Sequence, residues 1–142
     1  MRKIRLAKVL LLALLFCCFF AAAAQALTVN LRNNFRDTIF VVLVYYDLDY
    51  DDWWKNGWFE VPAGQTRTVD LPGVHIGTIH YYANSRTHAN VWQGGQGSIV
   101  QDVVTERMYL PADDTPRGSN RRYINMIRFD FNTETINLNF NP

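Results

Sequence analysis

The sequence predicts an all-β fold, a single-domain antiparallel β-sandwich of about seven to nine strands, preceded by an N-terminal signal-peptide helix. Three observations carry that reading. Leu27–Arg32 and Ile136–Asn141 alternate apolar and polar residues strictly, the period of a half-buried strand. Thr38–Tyr46, TIFVVLVYY, is β-branched or aromatic on both parities, as a central strand covered on both faces would be. Turn residues recur at short intervals between such runs, and little of the chain carries a helical period.

The first segment stands apart. Arg2, Lys3, Arg5 and Lys8 precede the apolar run Val9–Ala24, VLLLALLFCCFFAAAA, which suits a signal-peptide core and is short for the roughly 20 residues of a membrane span. Ala24-Gln25-Ala26 supplies a small-x-small cleavage site. Residues 1–26 are therefore expected to be a signal peptide and residues 27–142 an exported domain, periplasmic or extracellular, with no membrane span after cleavage. An uncleaved anchor is the competing reading. Both cysteines, Cys17 and Cys18, lie in the leader, so the domain has no disulfide, and cysteine nucleophiles, thiolate zinc sites and iron–sulfur clusters are excluded. Without the leader, ten basic residues face thirteen acidic ones, a net charge of −3 where the whole chain carries +1. No basic patch suggests nucleic acid, and no polybasic segment suggests an anionic membrane.

Along the domain, Leu27, Val29 and Leu31 are expected inward on the first strand, and Asn33-Asn34 begins the turn into Thr38–Tyr46. Tyr45–Gly64, YYDLDYDDWWKNGWFEVPAG, reads as an aromatic and acidic loop over Asp47–Gly57, or an irregular hairpin, returning through Gly57–Pro62 with Phe59 and Val61 on one face. Pro62–Thr66 turns into a strand with Val69 and Leu71 inward, and Val74–Ala83 is the next strand, with Gly77 marking a bulge or a close backbone approach. Asn84–Ser98 is loop-rich. Ile99–Leu110, IVQDVVTERMYL, is read as a strand and a half in preference to a short helix, on its valines. Tyr123–Phe131, with Ile127, Phe129 and Phe131 inward, and Ile136–Asn141 finish the chain as a hairpin through Asn132–Thr135.

The pattern Gly57-Trp58-Phe59-x-Val61-Pro62-Ala63-Gly64 after an acidic turn, with Tyr81-Tyr82-Ala83 and then Trp92 and Gly94 downstream, resembles the DUF1036 family of small exported bacterial proteins over about residues 27–97. The resemblance implies export and a β-rich domain. It supplies no activity and no catalytic residue.

Two features are candidate sites. Asp47-x-Asp49-x-Asp51 has the alternating spacing with which a loop wraps oxygen ligands around calcium. As a helix–loop–helix calcium loop it fails, because Asp52 stands where the turn glycine belongs and Trp58 where the closing glutamate belongs. A solvated acidic turn is the plainer reading. The second feature is aromatic. Tyr50, Trp53 and Trp54 beside Asp49 and Asp52 suit stacking on sugar rings and hydrogen bonding to hydroxyls, or a protein interface, whereas Trp58 and Trp92 sit near strands and suit the core. If the segment is extended, Trp53 and Trp54 point to opposite faces. His75, His80 and His88 have no spacing that demands a metal, the serines lie in no nucleophile-elbow context, and Gly94-Gly95-Gln96-Gly97 lacks the lysine of a phosphate loop. The expectation is an exported, non-enzymatic binding module for a glycan, an envelope component or a protein, with no cofactor unless calcium. A purely structural role and a carboxylate-dependent hydrolase are the alternatives.

Overall fold

A computed structural model describes residues 26–74 and 77–142; the expected signal peptide, as far as Gln25, and His75 lie outside the described residues. Every described element is a strand: β1 (Ala26–Asn33), β2 (Ile39–Asp47), β3 (Asp52–Val61), β4 (Thr66–Pro72), β5 (Gly77–Ser85), β6 (Val91–Trp92), β7 (Val100–Val103), β8 (Met108–Pro111), β9 (Arg122–Asn125), β10 (Ile127–Phe131) and β11 (Thr135–Phe140). They form three sheets. The largest runs β10-β5-β2-β3-β8, with β6 on β5; the second runs β11-β1-β4; β7 and β9 pair by themselves. Every pair is antiparallel except β1 with β11. The all-β architecture with several antiparallel sheets agrees with the expected sandwich. No helix among the described residues is long and apolar enough to cross a membrane.

The two larger sheets share one core. Leu27, Val29 and Leu31 of β1 and Ile136, Leu138 and Phe140 of β11 pack with Ile39, Val41 and Leu43 of β2, so the strict alternation of the first and last strands marks their inner face. The opposite face of β2, carrying Val42 and Val44, lies against Val103, Val104, Ile124 and Met126 around the β7–β9 pair. This double cover is why β2 is apolar on both parities. Each full burial of such a side chain contributes on the order of 1.5–3 kcal/mol, and the domain relies on these burials without a disulfide.

The last third departs from expectation. Tyr123–Phe131 is two strands: β9 pairs with β7, Met126 (1% exposed) interrupts the run, and β10 pairs with β5. Asn132–Thr135 does not close a hairpin, since β10 belongs to the large sheet and β11 runs parallel to β1 in the other. The chain crosses between layers because Ile124 and Met126 serve the second core whereas Ile136, Leu138 and Phe140 serve the first. The strand count, eleven among the described residues, exceeds nine through short strands that carry no pattern of their own. Ile99–Leu110 does divide into β7 and the start of β8. Gly77 marks neither a bulge nor a close approach: it pairs in register with Phe131, and a Cβ there would meet open space.

One register shift decides the faces of β3. Between Val41 and Val42 the pairing skips Trp58, so an extra residue enters the strand. Trp54 and Asn56 therefore share the main-core side with Phe59 and Val61, although an even count separates neither pair from the other in strict alternation. At Gly57 the strands come close enough that a Cβ would lie 2.9 Å from Val42 Cγ2.

Candidate ligand-binding site

Of the two readings of the acidic-aromatic stretch, a loop or an irregular hairpin, the structure shows the hairpin. β2 runs to Asp47, residues 48–51 turn, and β3 begins at Asp52 with Asp47 paired to Asp52, Tyr46 to Trp53 and Tyr45 to Trp54. The β propensity of the aromatic residues outweighs that of the aspartates once β2 offers a partner. Asp51 takes a φ of 52° in this turn, a left-handed conformation that Asp tolerates.

Extended backbone sends the two tryptophans to opposite faces. Trp53 is 36% exposed, edge-on to Tyr46 at 5.9 Å and tilted against His80 at 5.5 Å. Trp54 lies between Tyr50 (4.3 Å) and Tyr109 (4.7 Å) and packs on the main core. Tyr50 and Tyr109 are themselves about half exposed, at 55% and 51%. Of the sequence candidates, the structure joins Tyr50 and Trp54 and separates them from Trp53; Tyr109 joins the set from β8.

The aspartates divide in the same way. Asp51 Oδ1 accepts a 2.5 Å hydrogen bond from the Tyr46 hydroxyl, which raises the pKa of that phenol. The buried Asp47 carboxylate accepts the Asp49 N–H at 2.9 Å, and Asp47 and Asp49 both lie close over Gly73 in the turn after β4. Exposed Asp52 accepts the Trp53 N–H. Among the described residues no three His, Cys, Asp or Glu side chains are grouped as metal ligands.

Beside this end of the molecule is a cavity of about 240 Å³, bordered by Tyr45, Asp47, Asn56, Asp70, Arg107 and Tyr109. Its inner wall is built from β2 and β3. Asn56 Nδ2 donates to the Tyr45 hydroxyl at 3.1 Å, and Asn56 Oδ1 is buried without a hydrogen-bond partner, as is the nearby Trp54 Nε1. Burial raises the Tyr45 pKa. Asp70 is fixed by the Thr28 hydroxyl at 2.9 Å. Burial, and then the Tyr50 hydroxyl, push the Tyr109 phenol up to about 12, so it is a neutral hydrogen-bonding group at physiological pH. The wall thus offers carboxylate, amide, phenol and guanidinium groups beside an aromatic face.

Trp58 and Trp92 belong to the scaffold, as expected: their indole N–H groups donate to the Val104 and Asn141 carbonyls, at 2.8 and 2.9 Å. The histidines go to different surroundings. His80 faces Trp53, and burial lowers its pKa; His88 borders a larger cleft, of about 530 Å³, beside the β7–β9 layer. Sequence reading missed this cleft, because Arg86, Arg107 and Arg122, which border it, lie far apart in the chain and form no run. It also missed Lys55, a fully buried lysine within an aromatic segment. The only signal for either was the presence of basic residues inside apolar or loop segments. No family model, curated protein or solved structure matches the chain.

Proposed function

We propose that the protein is an exported, non-catalytic β-sandwich binding module that takes a hydroxylated ligand, a saccharide unit, at its acidic-aromatic end. One observation carries the reading: Asp47, Asp70, Asn56 and Arg107 converge on a cavity of about 240 Å³ walled on one side by Tyr109. Sugar hydroxyls need donors and acceptors together, and carboxylates, an amide and a guanidinium supply both. Sugar rings need an apolar face, which the half-exposed Tyr109 and Tyr50 supply around Trp54. The unpaired Oδ1 of Asn56, which borders the cavity, is a polar group whose burial costs about 1–3 kcal/mol, so a pocket that gains a hydrogen-bonding occupant recovers part of that cost. Both carboxylates are already fixed as acceptors, Asp47 by a backbone amide and Asp70 by Thr28, which favours holding a ligand over attacking one.

The test is a two-dimensional NMR titration with glucose, galactose, N-acetylglucosamine and their β-linked disaccharides. At least one is expected to bind at millimolar concentration or tighter, moving the Asn56 side-chain amide and the Trp54 indole signals. Asp70→Asn and Tyr109→Ala are each expected to weaken that binding by about tenfold, the loss of roughly 1.4 kcal/mol. If none of these sugars moves those signals, the assignment is wrong. Release of cleaved sugar during the titration would replace a binding role with a hydrolytic one.

A further inference from the structure

We infer that the cleft between the outer face of the large sheet and the β7–β9 layer is a second binding site, built for an oxyanion: a carboxylate or phosphate group on a ligand of small-molecule size. Its volume, about 530 Å³, lies in the range of small-molecule sites. Three guanidiniums, Arg86, Arg107 and Arg122, border it against a single carboxylate, Glu60. In a domain with more acidic than basic residues, such a concentration of one sign is a local property of the fold. It focuses positive potential into a concave, partly apolar space.

Two of the arginines are held in place, and the third is left free of side-chain partners among the described residues. Arg122 lies over the Trp58 ring at 5.4 Å, and its Nη2 donates to Asn84 Oδ1 at 3.3 Å. Asn84 is only 4% exposed and is fixed in turn by donating to the Ser85 carbonyl. Arg86 lies over Phe40 at 5.9 Å and pairs with Glu60 at 2.9 Å. Arg107 has neither a side-chain hydrogen bond nor an ion pair among the described residues. A guanidinium held over a ring by cation–π attraction keeps its charge and N–H edges, and those edges match carboxylate and phosphate oxygens in pairs. Two of the three described non-glycine residues with positive φ, His88 (55°) and Asn120 (52°), also border this cleft. Uncommon backbone conformations of this kind collect at binding sites.

Arg86 and Arg122 border this cleft alone, whereas Arg107 borders both cavities. That separates the two sites experimentally. Isotope-labelled protein is titrated with inorganic phosphate, glucose 6-phosphate and glucuronate, with glucose as the neutral control, while the arginine Nε–H and Trp58 indole signals are followed. The expected result is saturable movement of the Arg86, Arg122 and Trp58 signals by at least one anion and none by glucose, weakening as salt is raised. Arg86→Gln removes an exposed ion pair and a cation–π contact with Phe40, both of which contribute little to stability at an exposed site. It is expected to lower anion affinity about tenfold, the loss of one charge-assisted hydrogen bond, and to leave saccharide binding at the acidic end unchanged. Vesicles of phosphatidylglycerol, against phosphatidylcholine alone, form the second arm: retention that Arg86→Gln abolishes identifies a lipid headgroup as the source of the anion, and binding of the soluble anions alone identifies a free ligand. The inference is overturned if neither the soluble anions nor the anionic vesicles bind saturably, or if Arg86→Gln and Arg122→Gln bind them as the parent protein does.

Discussion

The Lys55 ammonium donates a 2.8 Å hydrogen bond to the backbone carbonyl of Asp102, tying β3 to β7. Two further carbonyls, of Ala112 and Asp114, accept from the same nitrogen at 3.2 and 3.3 Å. The side chain is fully buried, so one residue holds together the large sheet, the β7–β9 layer and the turn after β8. Lys55→Met keeps most of the stem but leaves three carbonyls without their donor. A net loss of about 1–3 kcal/mol in urea unfolding is expected, because relief of the desolvated charge offsets part of the lost hydrogen bonding. Lys55→Ala adds a cavity and is expected to lose more. A Met variant as stable as the parent would show that desolvation cancels the three hydrogen bonds in full.

The same lysine sets a pH dependence. Burial lowers its pKa from 10.5, against the opposing pull of Asp102, Asp114 and Asp113. Between the lowered value and 10.5 the unfolded chain binds more protons at this position than the folded one. Parental stability relative to Lys55→Met should therefore rise as pH rises through that window. Taking the difference cancels the tyrosines, whose raised values act in the opposite direction. Unfolding free energies of both proteins from pH 7 to 10 test the sign; a gap that narrows as pH rises would contradict the burial of the charge.

Tyr109 supplies the opposing case. With its phenol pushed up to about 12 by burial and then by the Tyr50 hydroxyl, the folded state keeps a proton that the unfolded state loses near 10. Its contribution is complete below 10 and is lost as pH rises through 12. Tyr50→Phe removes the smaller cause and should lower the Tyr109 ionisation, read by carbon NMR of the ring, without returning it to 10. A full return to 10 would make Tyr50 the main cause and the burial a minor one.

What was legible in the chain was whatever depends on a period. Leu27, Val29 and Leu31 at one end and Ile136, Leu138 and Phe140 at the other are buried as their alternation indicates, and Thr38–Tyr46 reads as doubly covered because Val42 and Val44 meet a separate core. Pairing was not legible. Nothing local shows that Ile136–Phe140 lies parallel to β1, or that Met126 divides one apolar run between two sheets. The opposed tryptophans follow from extended backbone, but which of them faces the main core depends on the bulge at Trp58. The arginine cleft was hidden for a like reason: its three guanidiniums come from the turn after β5, the β7–β8 connection and β9, and only the tertiary fold makes them neighbours.

Gly73 holds the acidic turn in place. Its φ is +79°, and a Cβ would lie 2.7 Å from Asp47 Oδ1 and 2.8 Å from Asp49 Oδ2, while its carbonyl accepts the Leu48 N–H at 2.8 Å. Gly73→Ala combines a left-handed backbone penalty of about 1–2 kcal/mol with a clash against both carboxylates. A loss of roughly 2–3 kcal/mol is expected in denaturant unfolding, and Gly64→Ala, whose φ is similar at +69° but whose Cβ would meet open space, should lose only the backbone part. Equal losses would show that the carboxylates yield freely. Millimolar calcium added to the parent protein tests the aspartates separately: the melting temperature should not rise, since a site that binds only the folded state would raise it.

Trp53 and Trp54 are adjacent yet do different work, and paired alanine variants should show it. Trp54 packs on the main core between two tyrosine rings, and aromatic pairs contribute about 0.5–1.5 kcal/mol beyond area burial. Trp54→Ala should cost about 2–4 kcal/mol, near the lower part of the range for buried aromatic truncations because one edge is exposed. Trp53 touches Tyr46 and His80 from a more open position, so Trp53→Ala should cost roughly 1 kcal/mol or less. Quenching of tryptophan fluorescence by iodide checks the same asymmetry, since loss of Trp53 should remove more of the quenchable emission than loss of Trp54. The cavity lies on the Trp54 side, so Trp54→Ala, and not Trp53→Ala, should also weaken saccharide binding. The reverse order would move the site to the Trp53 face, with Tyr46 and Asp51 as its polar partners.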